Sequence, residues 1–340
     1  MYERYLLLTL PGLEDIVKEE CERKGINVLR VKPHGIPARL VVRGEISNVR
    51  CLRTIESASQ ILDIIKLKDR SELRYAIRDI LRRPEVSTLL KGISTATVRG
   101  FVESNKVKKR DLERIVAREL IRIHPGIITI PNGGDIKIRV EFYKDNTLVL
   151  GIEIPPLQPL HRRYYTVFIH PAMLNPLIAA SIAYIFEPKK DTLIYDPFCG
   201  SGTIPIEIAY VYEDVSILAS DISETFVKGA ILNAREAGVI DRIQFLVSDA
   251  QYSTFKEQSI DIVVTDPPRG HREVVDPVSL LDKIFKSFKN ILKRNGLLIL
   301  VSPYRQIIKV LSLHYKFSIV REIEALQGGQ KVSIIALRSS

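Results

Sequence analysis

Between Thr192 and Val301 short apolar runs alternate with stretches of helical periodicity, which restricts this segment to a parallel β-sheet covered by helices on both faces. The strand-like runs are Thr192–Tyr195, Val215–Ala219, Arg242–Val247, Ile260–Thr265 and Leu297–Val301. Helices are expected at Thr203–Tyr212, Ser223–Gly238 and Leu280–Arg294. The last carries Leu281, Ile284, Phe285, Phe288, Ile291 and Leu292 on one face. Phe317–Ile323 and Lys331–Arg338, separated by Ala-Leu-Gln-Gly-Gly-Gln, read as a hairpin that closes the sheet with an antiparallel pair. The expected class of this half is therefore α/β.

The front half has an α+β order. A strand at Arg4–Leu10, a helix at Gly12–Lys24, strands near Asn27–Val31 and Arg39–Val42, and a helix from Glu45 to Arg53 suffice for one small subdomain. A second begins near Ser59, with helices Ser71–Arg83 and Asp111–His124, a strand Ile93–Arg99, and the pair Ile136–Phe142 and Thr147–Ile154 around a Lys-Asp-Asn turn. Ser71 and Asp111 are N-cap types, and Pro84 and Pro125 stop their helices. Pro155-Pro156-x-x-Pro159 reads as a stiff connector.

A length of 340 residues accommodates two or three domains. No apolar run approaches the roughly 18–20 residues of a membrane span, and the start lacks the order of a signal peptide, so a soluble cytoplasmic protein is expected. The three cysteines, Cys21, Cys51 and Cys199, form no metal-type spacing, and no metal is expected. The net charge of +10 is unevenly placed: residues 1–170 hold 31 Lys+Arg against 21 Asp+Glu, and residues 171–340 hold 19 of each. A basic module fused to a neutral one points to a polyanionic partner for the first.

The chemistry gathers in the second half. Asp196-Pro197-Phe198-Cys199-Gly200-Ser201-Gly202-Thr203 places a Gly-x-Gly turn between the first strand and its helix, where backbone comes close to a ligand and the acidic residue can hold a cationic amino group. Asp221 ends the next strand, where open α/β sheets bind a ribose. Asp249 and Asp266 follow at the ends of the two strands after it, so four consecutive strands end in aspartate along one edge. The third glycine of a dinucleotide fingerprint is absent, Ile204-Pro205 standing there instead. At Asp266-Pro267-Pro268 a strand runs into a rigid turn presenting a carboxylate. A carboxylate with a neighbouring carbonyl can bind an exocyclic amine and accept its proton as a methyl group arrives.

These motifs resemble class I S-adenosylmethionine-dependent methyltransferases, and more closely the tRNA guanine-N2 methyltransferases that carry a THUMP domain. The resemblance rests on Asp-Pro-Phe-Cys-Gly-Ser-Gly-Thr, on Asp221-Ile222 with Asn233-Ala234 and Gly238, and on Leu160-His161-Arg162-Arg163 through His170-Pro171-Ala172-Met173-Leu174-Asn175-Pro176, which looks like the family's lead-in helix. It implies a Rossmann-like seven-stranded methyltransferase domain at 171–340, a linker at 157–170, a THUMP domain at 58–156 and a ferredoxin-like subdomain at 1–57. It further implies that Asp196, Phe198, Gly200, Gly202 and Thr203 cradle the methionine part of S-adenosylmethionine, Asp221 and Ile222 meet the ribose, Asp249 and Ala250 border the adenine, and Asp266 and Pro267 bind the target amine.

Within the family the His-Pro-Ala motif leans toward enzymes of guanosine six in the acceptor stem; guanosine ten stays open. Arg269 stands where the family usually has an aromatic residue, and a guanidinium can also stack on a base. Asp-Pro-Pro-Arg also occurs in RNA pyrimidine C5 methyltransferases, which need a later nucleophilic cysteine, and none follows Cys199. A noncatalytic RNA-binding factor on the same fold is the alternative of another class. Arg74, Arg78 and Arg82 form a basic stripe on one helix, Lys106, Lys108, Lys109 and Arg110 a second cluster, and Arg162 and Arg163 a third, all expected to meet tRNA phosphates. The expected working form is a monomer on tRNA.

Overall fold

The computed structural model describes residues 3–103, 107–155, 163–252, 255–268, 276–327 and 329–340. The connector expected at Pro155–Pro159 lies mostly outside them. The chain forms two compact units, Met1–Leu8 with Cys21–Leu157, and Thr9–Glu20 with Gln158–Ser340.

The first half runs β1 (Glu3–Leu8), α1 (Glu14–Arg23), β2 (Asn27–Val31), β3 (Arg39–Gly44), α2 (Ile46–Arg50), β4 (Ser57–Lys66), α3 (Leu73–Leu81), α4 (Pro84–Leu89), β5 (Thr95–Val102), α5 (Lys109–Ile123), β6 (Ile128–Thr129), β7 (Ile136–Phe142) and β8 (Thr147–Ile154). Its strands make a single eight-stranded sheet in the order β2-β3-β1-β4-β8-β7-β5-β6. The sheet is antiparallel except that β5 runs parallel to β7 and β6. Strand β4, not anticipated from the sequence, joins β1 to β8. Its ladder shifts register between Ile61 and Asp63, which breaks the period-2 alternation by which a strand is recognised. Helix α3 buries Leu73, Ile77, Ile80 and Leu81, as its periodicity predicts. Ser71 does not cap it: Glu72 stands at the N-cap of α3, and Asp69 accepts the Ser71 N–H at 2.6 Å at the start of the short 3₁₀ turn Arg70–Glu72 before it.

The second half continues with α6 (Pro176–Ile182), β9 (Thr192–Asp196), α7 (Thr203–Val211), β10 (Val215–Asp221), α8 (Glu224–Glu236), β11 (Ile243–Val247), β12 (Ile260–Thr265), α9 (Pro277–Ile291), β13 (Leu292–Ser302), α10 (Arg305–His314), β14 (Phe317–Gln327) and β15 (Gln330–Ser339). The expected α/β sheet is present with seven strands in the order β11-β10-β9-β12-β13-β15-β14, parallel except for β15. Helix α9 stops at Ile291 rather than Arg294, because Leu292 already pairs with Ile260 of β12. Helix α10 was not anticipated: its exposed Val310 and Leu313 blur the face that buries Ile308 and Leu311.

Each face of this sheet carries its own core. One contains Ile178, Ile206, Ala230 and Ile262; the other contains Phe285, Phe288, Leu298 and Ile335. Full burial of a side chain such as Phe285 is worth about 1.5–3 kcal/mol. Helix α1 belongs mainly to this unit. Gly12, at φ +96°, lies against the Glu324 carbonyl of the edge strand β14, and Glu19 pairs with Arg321. That edge is thus shielded from further strand pairing. The chain runs from β9 outward to β10 and β11, then returns to place β12 on the other side of β9. Open α/β sheets bind ligands at such a reversal, at the carboxyl ends of the strands.

Candidate active site

Asp196, the last residue of β9, is 2% exposed at this reversal. Its Oδ1 accepts the Thr265 hydroxyl at 2.6 Å and the Phe198 N–H at 3.2 Å. Among the described residues its Oδ2 is buried without a hydrogen-bond partner. Burial pushes the carboxyl up to about 7; the Thr265 and Phe198 bonds oppose this, and the charges of Asp221 and Asp266 add to it. A buried carboxylate oxygen in need of a partner is a seat for a cationic group.

The loop after β9 depends on glycine at two positions, Gly200 (φ +51°) and Gly202 (φ +79°), both in the left-handed region. The Gly200 N–H donates to Asp221 Oδ2 at 3.1 Å, and the Ser223 N–H donates to Asp221 Oδ1 at 2.9 Å. Asp221 therefore braces the glycine loop from the end of β10. Thr203 opens α7 and is buried, whereas Ile222 is 67% exposed. Asp249 follows β11 and accepts the Gln251 N–H at 2.9 Å, with Ala250 buried beside it.

Asp266 is half-buried at the end of β12, Pro267 is buried and Pro268 exposed. Thr265 is the residue that sequence reasoning missed here: its hydroxyl ties the Asp-Pro-Pro turn to Asp196. Arg269 lies outside the described residues. Cys199 is 6% exposed, and burial with the charges of Asp196 and Asp221 raises its thiol well above the ordinary value, so it stays protonated. Among the described residues no cluster of three His, Cys, Asp or Glu side chains could hold a metal ion.

The segment before α6 lies over the glycine loop. The His170 ring is 3.5 Å from where a Gly200 Cβ would stand and meets Phe226 of α8 edge-on at 4.2 Å.

The basic residues have separate fates. Arg163, expected to meet a phosphate, is enclosed with a side-chain exposure of 0%. Its Nε–H donates to Glu207 at 2.8 Å, and the Tyr165 hydroxyl donates to the same carboxylate at 2.7 Å. A carboxylate on the buried α7 needs that cationic partner, so Arg163 anchors its segment instead of facing solvent. Arg78 bonds the buried Glu119 at 2.8 Å, with Arg74 at 2.6 Å, and holds that carboxyl down at about 2. The expected stripe is left with Arg74, 58% exposed, and Arg82, also exposed. Lys108, Lys109 and Arg110 are exposed at the start of α5, whereas Lys106 and Arg162 lie outside the described residues.

Three arginines escaped the sequence reading because they come from three strands and form no run. Arg4 and Arg43 stand directly opposite on β1 and β3, a like-charge pair that destabilises a ladder unless an anion offsets it. With Arg30 they rim a cleft of about 390 Å³ floored by Leu6, Val41 and Tyr143. None of the three is ion-paired among the described residues.

Residues 163–329 match the family described as the RMKL-like methyltransferase domain. The tRNA (guanine(6)-N2)-methyltransferase of Archaeoglobus fulgidus is 28% identical over 86% of this chain and 80% of its own length. The enzyme of the same name from Methanocaldococcus jannaschii is 25% identical over 98% of this chain and 99% of its own. The crystal structure of TrmN from Thermus thermophilus superposes with a TM-score of 0.84 over 100% of both chains at 22% identity. Residues 163–329 thus match a methyltransferase domain of the RMKL-like kind.

Proposed function

We propose that this methyltransferase moves the methyl group of S-adenosylmethionine to the exocyclic N2 amine of guanosine six in the acceptor stem of tRNA, acting as a monomer in the cytoplasm. The observation that carries the reading is the Thr265–Asp196 bond, which joins the glycine-loop aspartate to the turn bearing Asp266. The residues present suit the cofactor: the orphaned Asp196 Oδ2 matches its ammonium group, the open backbone at Gly200 and Gly202 its methionine chain, and Asp221 its ribose hydroxyls. When bound, the cofactor supplies an electrophilic methyl carbon on a positively charged sulfur. Asp266 accepts a hydrogen bond from the guanine amine, which increases lone-pair density on nitrogen, and takes the proton released as the N–C bond forms. Pro267 and Pro268 hold that carboxylate in place without offering competing N–H donors. A guanine in a duplex reaches Asp266 only when flipped out of the stack.

The position follows the names of the two archaeal relatives. The first unit is read as the grip on tRNA, with residues 1–57 as a ferredoxin-like subdomain and 58–156 as a THUMP domain. Lys108, Lys109 and Arg110 stand at a helix start, where cations are disfavoured, and a phosphate there would be bound by side chains and helix together. The unpaired Arg4 and Arg43 support the same reading. The double variant Arg4→Glu, Arg43→Glu is expected to raise KM for tRNA about 10–100-fold and to flatten its dependence on salt, log K against log salt, by about 2, with kcat unchanged. Unchanged KM and slope would remove these arginines from the RNA surface.

The reading is tested with a tRNA carrying inosine in place of guanosine six, which keeps the pairing face toward cytosine but lacks the N2 amine. Such a tRNA is expected to accept no methyl group while binding as tightly as the unsubstituted one. Full transfer to the inosine tRNA would refute both the atom and the position.

A further inference from the structure

Helix α8 turns one stripe, Phe226, Gly229, Ala230 and Asn233, toward the glycine loop and the segment lying over it, the i, i+3, i+4, i+7 spacing of a single helix face. Asn233 is 1% exposed. Its Oδ1 accepts the N–H groups of Val167 at 3.0 Å and Phe168 at 2.8 Å. Its amide donates to the carbonyl of Phe168 at 2.9 Å and to that of Ser201 at 2.8 Å. An asparagine side chain offers two acceptor sites and two N–H groups, and here all four are used on backbone. Ser201 lies between the two left-handed glycines, so this one amide joins the overlying strap to the loop at the point where the loop turns.

The rest of the stripe serves the same junction. A Cβ at Gly229 would stand 2.2 Å from the Phe168 ring, so a glycine in mid-helix, costly by about 1 kcal/mol relative to alanine, is required for the ring to seat. Ala230 lies 3.1 Å from where a Gly202 Cβ would stand. The stripe thus packs on the glycine loop and its strap, on the cofactor side of the site.

We propose that Asn233 is a positioning residue for cofactor binding: it locks the 167–168 backbone and the Ser201 carbonyl into one piece, and so fixes the pocket around the methionine end of the cofactor. The inference rests on the proposed methyl transfer from S-adenosylmethionine. An aspartate at this position keeps the shape and both accepted bonds but sets a buried carboxylate against two carbonyls, so Asn233→Asp is expected to be at least as damaging as Asn233→Ala, which a space-filling role would not produce.

The test uses the full chain, with S-adenosylhomocysteine binding by calorimetry and steady-state methylation of tRNA. Asn233→Ala and Asn233→Asp are expected to raise the Kd for S-adenosylhomocysteine and KM for S-adenosylmethionine 10–100-fold, with kcat and KM for tRNA within threefold of wild type. Gly229→Ala, which displaces Phe168 but leaves Asn233 intact, is expected to raise the same Kd about tenfold with a normal melting profile. A lower melting temperature and lower active fraction at unchanged Kd in all three variants would overturn the proposal and make Asn233 a packing residue only. Wild type that binds no S-adenosylhomocysteine would overturn the functional reading itself, an outcome distinct from wild-type binding retained in the variants.

Discussion

Asp266→Asn is expected to lower kcat for methyl transfer by about 10²–10⁴, while the Kd for S-adenosylhomocysteine and for tRNA stay within a few-fold of wild type. The amide keeps the shape of the carboxylate and can still accept one hydrogen bond. It carries no charge to support the growing positive charge on the amine and cannot take its proton. The Asp266 charge also helps to raise Asp196, so its removal is expected to ease ionisation of Asp196 and shift the lower pH limit of cofactor binding downward. A variant rate within tenfold of wild type would show that the proton leaves by another route and that the Asp-Pro-Pro turn serves only to shape the pocket.

The second large effect belongs to Asp196, where stability and function have opposite requirements. Its carboxyl titrates near 7 in the folded chain against 3.8 ordinarily, chiefly because it is buried. Between pH 4 and 7 the folded state therefore holds a proton that the unfolded state has released, and stability falls as pH rises through this window. Above pH 7 the ligand-free protein carries a buried carboxylate at a cost on the order of a few kcal/mol. Asp196→Asn is expected to melt higher than wild type at pH 8, to match it near pH 4, and yet to bind S-adenosylhomocysteine about 100-fold more weakly at pH 8. Wild-type affinity should fall roughly tenfold per unit below pH 7, as protonation removes the partner of the ammonium group, whereas the variant should show no such slope. Equal affinity and equal pH dependence in the two proteins would place the ammonium group elsewhere.

Much of the candidate site was legible in the chain because open α/β sheets gather the residues after each strand at one edge. Asp196, Asp221, Asp249 and Asp266 could be assigned to that edge from the alternation alone. Bonds between segments distant in sequence were not legible. Thr265 acts through a partner 69 residues away and no local pattern marks it, whereas Asn233 stood in the motif of the second β-α unit without any sign of its partner 65 residues away. Gly229 did leave a sign, a glycine inside a helix, whose meaning depends on the Phe168 ring. Charge was read well as a total and poorly by residue. Arg163 and Arg78 look like surface cations until Glu207 and Glu119 are found beneath them. Arg4 and Arg43 look isolated until strand pairing sets them face to face. Strand β4 was hidden because its register shift removes the alternation that announces a strand.

Methyl transfer to N2 of guanosine six is tested by incubating unmodified tRNA with the full chain and labelled S-adenosylmethionine, digesting to nucleosides and separating them by mass spectrometry. The label is expected in N2-methylguanosine, and in the tRNA fragment containing position six. Label recovered in a methylated pyrimidine, in another guanosine, or in no nucleoside at all would rule out N2 methylation of guanosine six by this protein.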